Sequence, residues 1–278
     1  MKIPFVKMHG VGNDFVVLDR VGSQTELPEL ALLARNVNDR RFGIGGDGLI
    51  LAEPAEQGRF RMRMFNPDGS ESEMCGNGVR CVARLLADRG YLSSSSLELH
   101  TGAGLLELEL QCDHRVRVDM GKARLTKGEI GMTGAAEDRF VDQPVCDNPT
   151  LEGTAVGMGN PHLVIFVQDL DAIGLHALGP RLEHNPLFPN RVNVQFAQVI
   201  SRRAIRVKSW ERGAGATLAC GTGACATAAA AKLTDRSEPN VRVDLPGGSL
   251  DIEVADDWTV HMTGPAETVF EGEWTQPD

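Results

Sequence analysis

Two cysteines stand in matching surroundings, Cys75-Gly76-Asn77-Gly78 and Cys220-Gly221-Thr222-Gly223. After the first, Val79, Val82, Ala83 and Leu86 recur at the i, i+3, i+4, i+7 spacing of one helical face, and Gly90 stops the run. An alanine-rich run from Ala224 to Leu233 follows the second. A thiol at a helix start faces bare N–H groups and the positive end of the macrodipole, which lower its pKa and favour the thiolate. The glycines let backbone approach a ligand closely, and Asn77 and Thr222 suit a helix start. Two such thiols facing one cleft would place a base on one side of a hydrogen-bearing carbon and an acid on the other, which is what inversion of a stereocentre requires. If that carbon is the Cα of an amino acid, negative charge grows beside its carboxylate, and the two helix starts offer N–H donors to hold it.

The elements that must position these thiols repeat. Cys220 follows Cys75 by 145 residues, and the same offset carries Asn66 onto Glu211 and Gly102 onto Gly247. Near the N-terminus Gly10-Val11-Gly12-Asn13 matches Gly157-Met158-Gly159-Asn160 at an offset of 147. Landmarks in one order at nearly one offset indicate a duplication in which each half contributes one cysteine. The first repeat ends near Gly121. Strand patterns cover Ile3 to Met8, Phe15 to Asp19, Leu49 to Ala52, Phe60 to Phe65, Leu163 to Val167, Val192 to Val199 and Ala204 to Trp210, and Pro28 opens a helix carrying Leu30, Leu33, Ala34 and Val37. Leu97 to His100 and Leu105 to Leu110 form a hairpin pattern, while Lys122 to Thr150 reads as polar and irregular, with short strand-like pieces. Each half therefore has many short strands and one central helix. The alanine-rich helix is small on every side and suits burial, as in a sheet wrapped round a helix.

The chain has 278 residues, enough for two domains with their own cores. A formal net charge of −10 argues against a nucleic-acid footprint. No apolar run reaches the length of a membrane span and the N-terminus lacks a signal-peptide core, so the expectation is a cytoplasmic protein with no membrane partner. The spacings from Cys75 to Cys81 and from Cys220 to Cys225 do not suit a zinc site, and Cys81, Cys112, Cys146 and Cys225 read as ordinary reduced residues. Gly43-Ile44-Gly45-Gly46-Asp47-Gly48 lacks the Lys-Ser/Thr of a phosphate loop.

The stretches Lys7 to Phe15, Phe65 to Cys81, Gly159-Asn160-Pro161-His162, Trp210-Glu211-Arg212-Gly213 and Ala219 to Gly223 resemble the diaminopimelate epimerases. The resemblance spans nearly the whole chain. It implies an α/β (α+β) fold of two pseudo-symmetric lobes, each a mostly antiparallel β-barrel around a central helix. The C-terminal strand returns to the first lobe, so the lobes are 1–121 plus 266–278 and 122–265. It implies an isomerase without cofactor or metal that interconverts LL- and meso-2,6-diaminopimelate, a small amino-acid substrate of lysine and peptidoglycan synthesis, and it suggests a homodimer. By motif, Cys75 and Cys220 are the acid/base pair, and His162 and Glu211 tune their pKa. Asn13, Asn66, Asn160 and Asn193 bind substrate, Gly76-Asn77 and Gly221-Thr222 cradle carboxylate, and Glu211-Arg212 holds the substrate. Some members carry glutamine where Gly48 stands, so that position receives no role. Two other readings stay open on the residues alone: a proline or hydroxyproline racemase, which places a histidine where Asn77 stands, and a non-catalytic thiol switch.

Overall fold

The computed structural model describes residues 2–23, 25–72, 75–145 and 148–275. Met74, Cys146 and the last three residues assigned to the first lobe therefore lie outside the described residues. The chain divides into two compact units, Met1–Val118 with Gly264–Asp278, and Asp119–Thr263.

In the first unit the chain runs β1 Lys2–Gly10, β2 Asn13–Asp19, α1 Leu30–Asn38, β3 Gly48–Pro54, β4 Phe60–Phe65, β5 Glu71–Ser72, α2 Gly76–Asp88, β6 Ser96–Thr101, β7 Gly104–Leu110 and β8 Val116–Lys122. The second unit holds α3 Lys127–Ile130, β9 Gln143–Val145, β10 Asn148–Gly157, β11 Pro161–Phe166, α4 Leu175–Glu183, β12 Asn193–Ser201, β13 Ala204–Glu211, β14 Gly215–Thr217, α5 Gly221–Leu233, β15 Asn240–Leu245, β16 Gly248–Val254 and β17 Thr259–Gly264. β18, Glu267–Thr275, closes the chain and pairs antiparallel with β1, from Lys2 opposite Thr275 to His9 opposite Glu267.

The two sheets follow one plan. By the pairings within each unit, the first is ordered β18-β1-β2-β3-β4-β6-β7-β8 and the second β9-β10-β11-β12-β13-β15-β16-β17. In each, the third and fourth strands run parallel, as do the fifth and sixth, and every other neighbouring pair is antiparallel. Parallel neighbours need a crossover, and a helix supplies each one: α1 and α2 in the first unit, α4 and α5 in the second. The central helix expected in each half is thus α2 and α5, and α1 is the helix expected after Pro28; α4 and the short α3 are the helices among the described residues that the sequence reading lacked. The fold is mixed α+β and dominated by sheet.

The second crossover of each unit is the buried one. α2 packs against β1, β2, β3, β4 and β7, and α5 against β10, β11, β12, β15 and β16. Ala224, Ala226 and Ala228 to Ala231 are fully buried, because only small side chains let a helix approach strands from several sides. α4 leaves no clear periodic signal in the sequence because Gly179 and Pro180 sit inside it. A Cβ at Gly179 would lie 2.4 Å from the Trp210 ring, so the glycine exists to admit the indole. The irregular stretch after Gly121 resolves into α3, with its Thr126/Glu129 capping box, and into β9 and the start of β10.

Candidate active site

Each cysteine is the N-cap residue of its unit's buried helix, with extended backbone: Cys75 at φ −139°, ψ 116° and Cys220 at φ −120°, ψ 104°. Asn77 and Thr222 fall at the second helical position rather than at the cap. The first helical bonds are Val79 N–H to Cys75 C=O and Ala224 N–H to Cys220 C=O, both 2.9 Å. The N–H groups of Gly76 to Gly78 and of Gly221 to Gly223 precede the first helical donor and so have no acceptor within the helix.

In the first unit Asn13 begins β2, just after a tight turn in which Val11 (φ 56°) and Gly12 (φ 80°) are left-handed. Its Oδ1 accepts from Asn77 Nδ2 at 3.1 Å and from the Cys75 thiol at 3.7 Å. Its Nδ2 donates to Asp47 at 2.6 Å, which fixes which end of the amide meets the sulfur. Asp47 in turn accepts from Arg40, and Arg40 also pairs with Asp14 at 2.6 Å. Burial raises the Asp14 pKa, but Arg40 and Lys7 outweigh it and hold the carboxyl down at about 2. The wholly buried Arg80 donates to Asn77 Oδ1 at 2.8 Å, Gly76 C=O at 3.1 Å and Pro265 C=O at 3.2 Å. Asn66 stands apart: its side chain donates to Ser70 in the turn after β4.

In the second unit Glu211 and Thr222 meet Cys220, Asn160 and His162 are joined to Thr222 in turn, and Asn193 and Arg212 are joined to each other. Thr222 Oγ1 lies 3.7 Å from the Cys220 sulfur and accepts from Asn160 Nδ2 at 3.5 Å. Asn160 Oδ1 is 2.8 Å from His162 Nε2. Glu211 ends β13, accepts from the Thr217 hydroxyl at 2.6 Å and takes a hydrogen bond from the Cys220 thiol. Asn193 clasps the neighbouring loops, donating to Pro161 C=O at 3.1 Å and accepting from Arg212 N–H at 2.9 Å.

Burial first, then the charge and acceptor oxygen of Glu211, push the Cys220 thiol well above its ordinary range, against the opposing pull of the Thr222 hydroxyl and the Gly223 N–H. This departs from the thiolate that the helix start alone suggests, because Cys220 is 3% exposed and desolvation exceeds what one turn of helix returns. Burial, and secondarily the charge of Arg212, holds His162 down at about 3, so its imidazole is neutral. Cys81 is wholly buried and is pushed up to about 12 by that burial, whereas Cys112 is exposed. A Cβ at Gly48 would sit 2.8 Å from Met64 Cε, the movable end of that side chain, and 3.2 Å from Phe65 C=O, so a side chain there requires Met64 to shift.

Asp47 and Thr217 were not singled out from sequence. Asp47 lies in the glycine-dense stretch that failed as a phosphate loop, 34 residues from the Asn13 it holds, and nothing local ties the two together. Thr217 is visible only once β14 folds back on β13.

The sequence matches the family described as diaminopimelate epimerase over residues 5–126 and 154–269. It is 50% identical to diaminopimelate epimerase 1 of Nostoc sp. (strain PCC 7120), covering 98% of this chain and 99% of that one. It is 49% identical to diaminopimelate epimerase of Moorella thermoacetica, covering 97% and 98%. Among solved structures, a phenazine biosynthesis protein of the PhzF family from Bacillus anthracis superposes with a TM-score of 0.72 at 16% identity, covering 99% of this chain and 100% of that one. A hydroxyproline epimerase from Agrobacterium vitis superposes with a TM-score of 0.66, also at 16% identity, covering 98% and 91%. These structural likenesses speak to the fold.

Proposed function

The chain belongs to the diaminopimelate epimerase family, and from that premise we propose that it interconverts LL- and meso-2,6-diaminopimelate with two thiols and no cofactor, in the lysine and peptidoglycan pathways. The observation that carries this reading is the pair of cysteine N-caps at equivalent places in two sheets of one plan. Inversion needs a proton taken from one face of Cα and another delivered to the opposite face, and two cysteines supply both without a metal or an electron sink. The reaction runs both ways, so each thiol must serve as acid and as base. Cys220 has a partner for each state: Glu211 accepts from the thiol, and the Thr222 hydroxyl and Gly223 N–H donate to the thiolate.

The remaining roles follow. The N–H groups at Gly76-Asn77 and Gly221-Thr222 receive the substrate carboxylate as charge builds on it. Asn13, Asn66, Asn160 and Asn193 with Glu211 and Arg212 bind the two amino-acid ends, an acceptor-rich set suited to ammonium with one guanidinium for carboxylate. His162 and Glu211 set the proton affinity of Cys220. Asn77, held between Asn13 and Arg80, favours this substrate over proline, for which the related racemases place a histidine there. None of the described helices is long and apolar enough to cross a membrane; a cytoplasmic homodimer completes the reading.

The test is incubation of LL-diaminopimelate in deuterated water without pyridoxal phosphate or metal. The meso product should carry deuterium at the inverted carbon while early unreacted substrate stays nearly unlabelled, as two separate thiols demand. Equal labelling of substrate and product, or racemisation of proline in place of diaminopimelate, would overturn the proposal.

A further inference from the structure

The equivalent strands of the two units differ sharply behind their cysteines. Register pairs Phe15 with Gly48, Val17 with Ile50 and Ile50 with Met64 in the first unit. In the second it pairs His162 with Asn193, Val164 with Gln195 and Gln195 with Ser209. The apolar set Phe15, Ile50 and Met64 is thus replaced by His162, Gln195 and Ser209, all buried to within 1%. Three polar side chains in a core have to pair, and these do so in one line. Ser209 Oγ donates to Gln195 Oε1 at 2.5 Å, and Gln195 Nε2 lies 3.3 Å from His162 Nδ1. Since Ser209 occupies the carbonyl end of the Gln195 amide, its NH₂ end faces Nδ1, which must accept. His162 is then protonated on Nε2 and donates to Asn160 Oδ1. Asn160 Nδ2 donates to Thr222 Oγ1, whose own hydrogen is left for the Cys220 sulfur. Gln195 is also wedged against α5, since a Cβ on Gly223 would meet its Nε2 at 2.5 Å.

We propose that Gln195, anchored by Ser209, is a positioning residue that fixes the tautomer of His162 and thereby turns the Thr222 hydroxyl proton onto the Cys220 sulfur. The inference rests on Cys220 being an acid/base thiol. The charged groups acting on this line are Glu211 at the sulfur and Arg212 near His162, and from α5 the Thr222 hydroxyl and the Gly223 N–H act on the sulfur. Reversing the line at Gln195 reverses every bond beyond it. A carboxylate there only accepts, so His162 must carry its proton on Nδ1. Nε2 then accepts from a rotated Asn160 amide, and the Thr222 hydrogen turns to Asn160 and away from sulfur.

The experiment reads imidazole ¹⁵N shifts of His162 in the full chain without substrate, alongside kcat and KM for diaminopimelate. Wild type should show the Nε2–H tautomer, Gln195→Glu the Nδ1–H tautomer, and Gln195→Met, which removes the donor without adding charge, a detectable Nδ1–H fraction. Gln195→Glu should lower kcat roughly tenfold, the worth of one hydrogen bond to a charged atom, with KM little changed. In a Thr222→Val background, where no hydroxyl remains to be turned, the same substitution should cost almost nothing more. Wild-type Nε2–H retained in both Gln195 variants, an imidazolium in place of the switched tautomer, or an undiminished loss in the Thr222→Val background would overturn the proposal. The tautomer is read without substrate, so wild-type protein that fails to epimerise diaminopimelate would sink the epimerase reading while the ¹⁵N result still judges the relay.

Discussion

The cysteines and their immediate neighbours were legible because a helix start needs local residues in a fixed order, and Cys75 to Gly78 and Cys220 to Gly223 carry that order in the chain. Their electrostatic setting is made by residues brought in by folding, and only the family resemblance pointed to any of it: it named Glu211 beside Cys220, whereas Asp47 behind Asn13 and Thr217 on Glu211 left no local signal. Glu211 is the sharpest case, because its charge opposes the shift that the helix start suggests. Glu211→Gln should therefore let the Cys220 thiol ionise at lower pH, seen as alkylation of Cys220 by iodoacetamide setting in at lower pH than in wild type. The same substitution should lower epimerisation at least tenfold, since the thiol loses the acceptor for its proton, a contribution that in general acid–base catalysis runs to roughly 10²–10⁴-fold. His162 gives a prediction of opposite kind. Its folded pKa, about 3, lies below the ordinary 6.5, so above pH 6.5 both folded and unfolded forms are neutral and the group is silent. As pH falls below 6.5 the unfolded chain takes up the proton first and stability is lost progressively down to about 3, by up to about 1.4 kcal/mol per pH unit. His162→Gln, which can still donate toward Asn160 and accept from Gln195, should flatten that acid limb in thermal unfolding followed from pH 7 to pH 4.

Strands and the two buried helices were legible because their patterns are short-range and periodic, and β4 Phe60–Phe65 coincides with its sequence pattern. What the periodicity concealed was α4. Gly179 and Pro180 are poor helix formers, yet the parallel pairing of β11 and β12 demands a crossover, and tertiary packing overrides propensity. The same helix also anchors the Glu211-Arg212 turn, because buried Glu183 at its end accepts from Trp210 Nε1 at 2.8 Å, from Gly213 N–H at 3.0 Å and from Arg191 at 3.0 Å. Gly179→Ala raises intrinsic helix propensity but drives a methyl into the indole, and the clash outweighs the gain. It should destabilise the protein by about 1–3 kcal/mol, measured by denaturant unfolding, with epimerase activity lost in parallel as the Trp210 to Gly213 segment shifts. Unchanged stability would mean that Trp210 repacks freely and that α4 does not hold this turn.

At the scale of the whole molecule the duplication was legible from its offset, because equal spacing of Gly, Asn and Cys landmarks survives when other residues have diverged. The strand that completes the first sheet was not readable from residues in that way, since β18 occupies in the first unit the place that β9 fills in the second, and no local pattern says which edge a terminal strand joins. Its contribution is considerable. It pairs with β1 along nearly its whole length, stacks Phe270 edge-on to Phe5 at 5.8 Å, and brings Trp274 against the core of Ile3, Phe5, Val16 and Leu18. The chain just before it gives Pro265 C=O to Arg80, the buried guanidinium that also holds Asn77 and Gly76 at the Cys75 helix start. A chain ending at Gly264 should therefore lose hydrogen-exchange protection in β1 and at the start of α2, and with it epimerisation, while amides of α5, which packs against β10, β11, β12, β15 and β16 of the second unit, keep theirs. The exposed edge of β1 should also make the truncated chain prone to aggregate, which added Lys or Pro substitutions on that edge would relieve. Protection in β1 at the wild-type level after truncation would show that the first sheet does not depend on its last strand, and that the equivalence of β18 with β9 is one of topology without energetic weight.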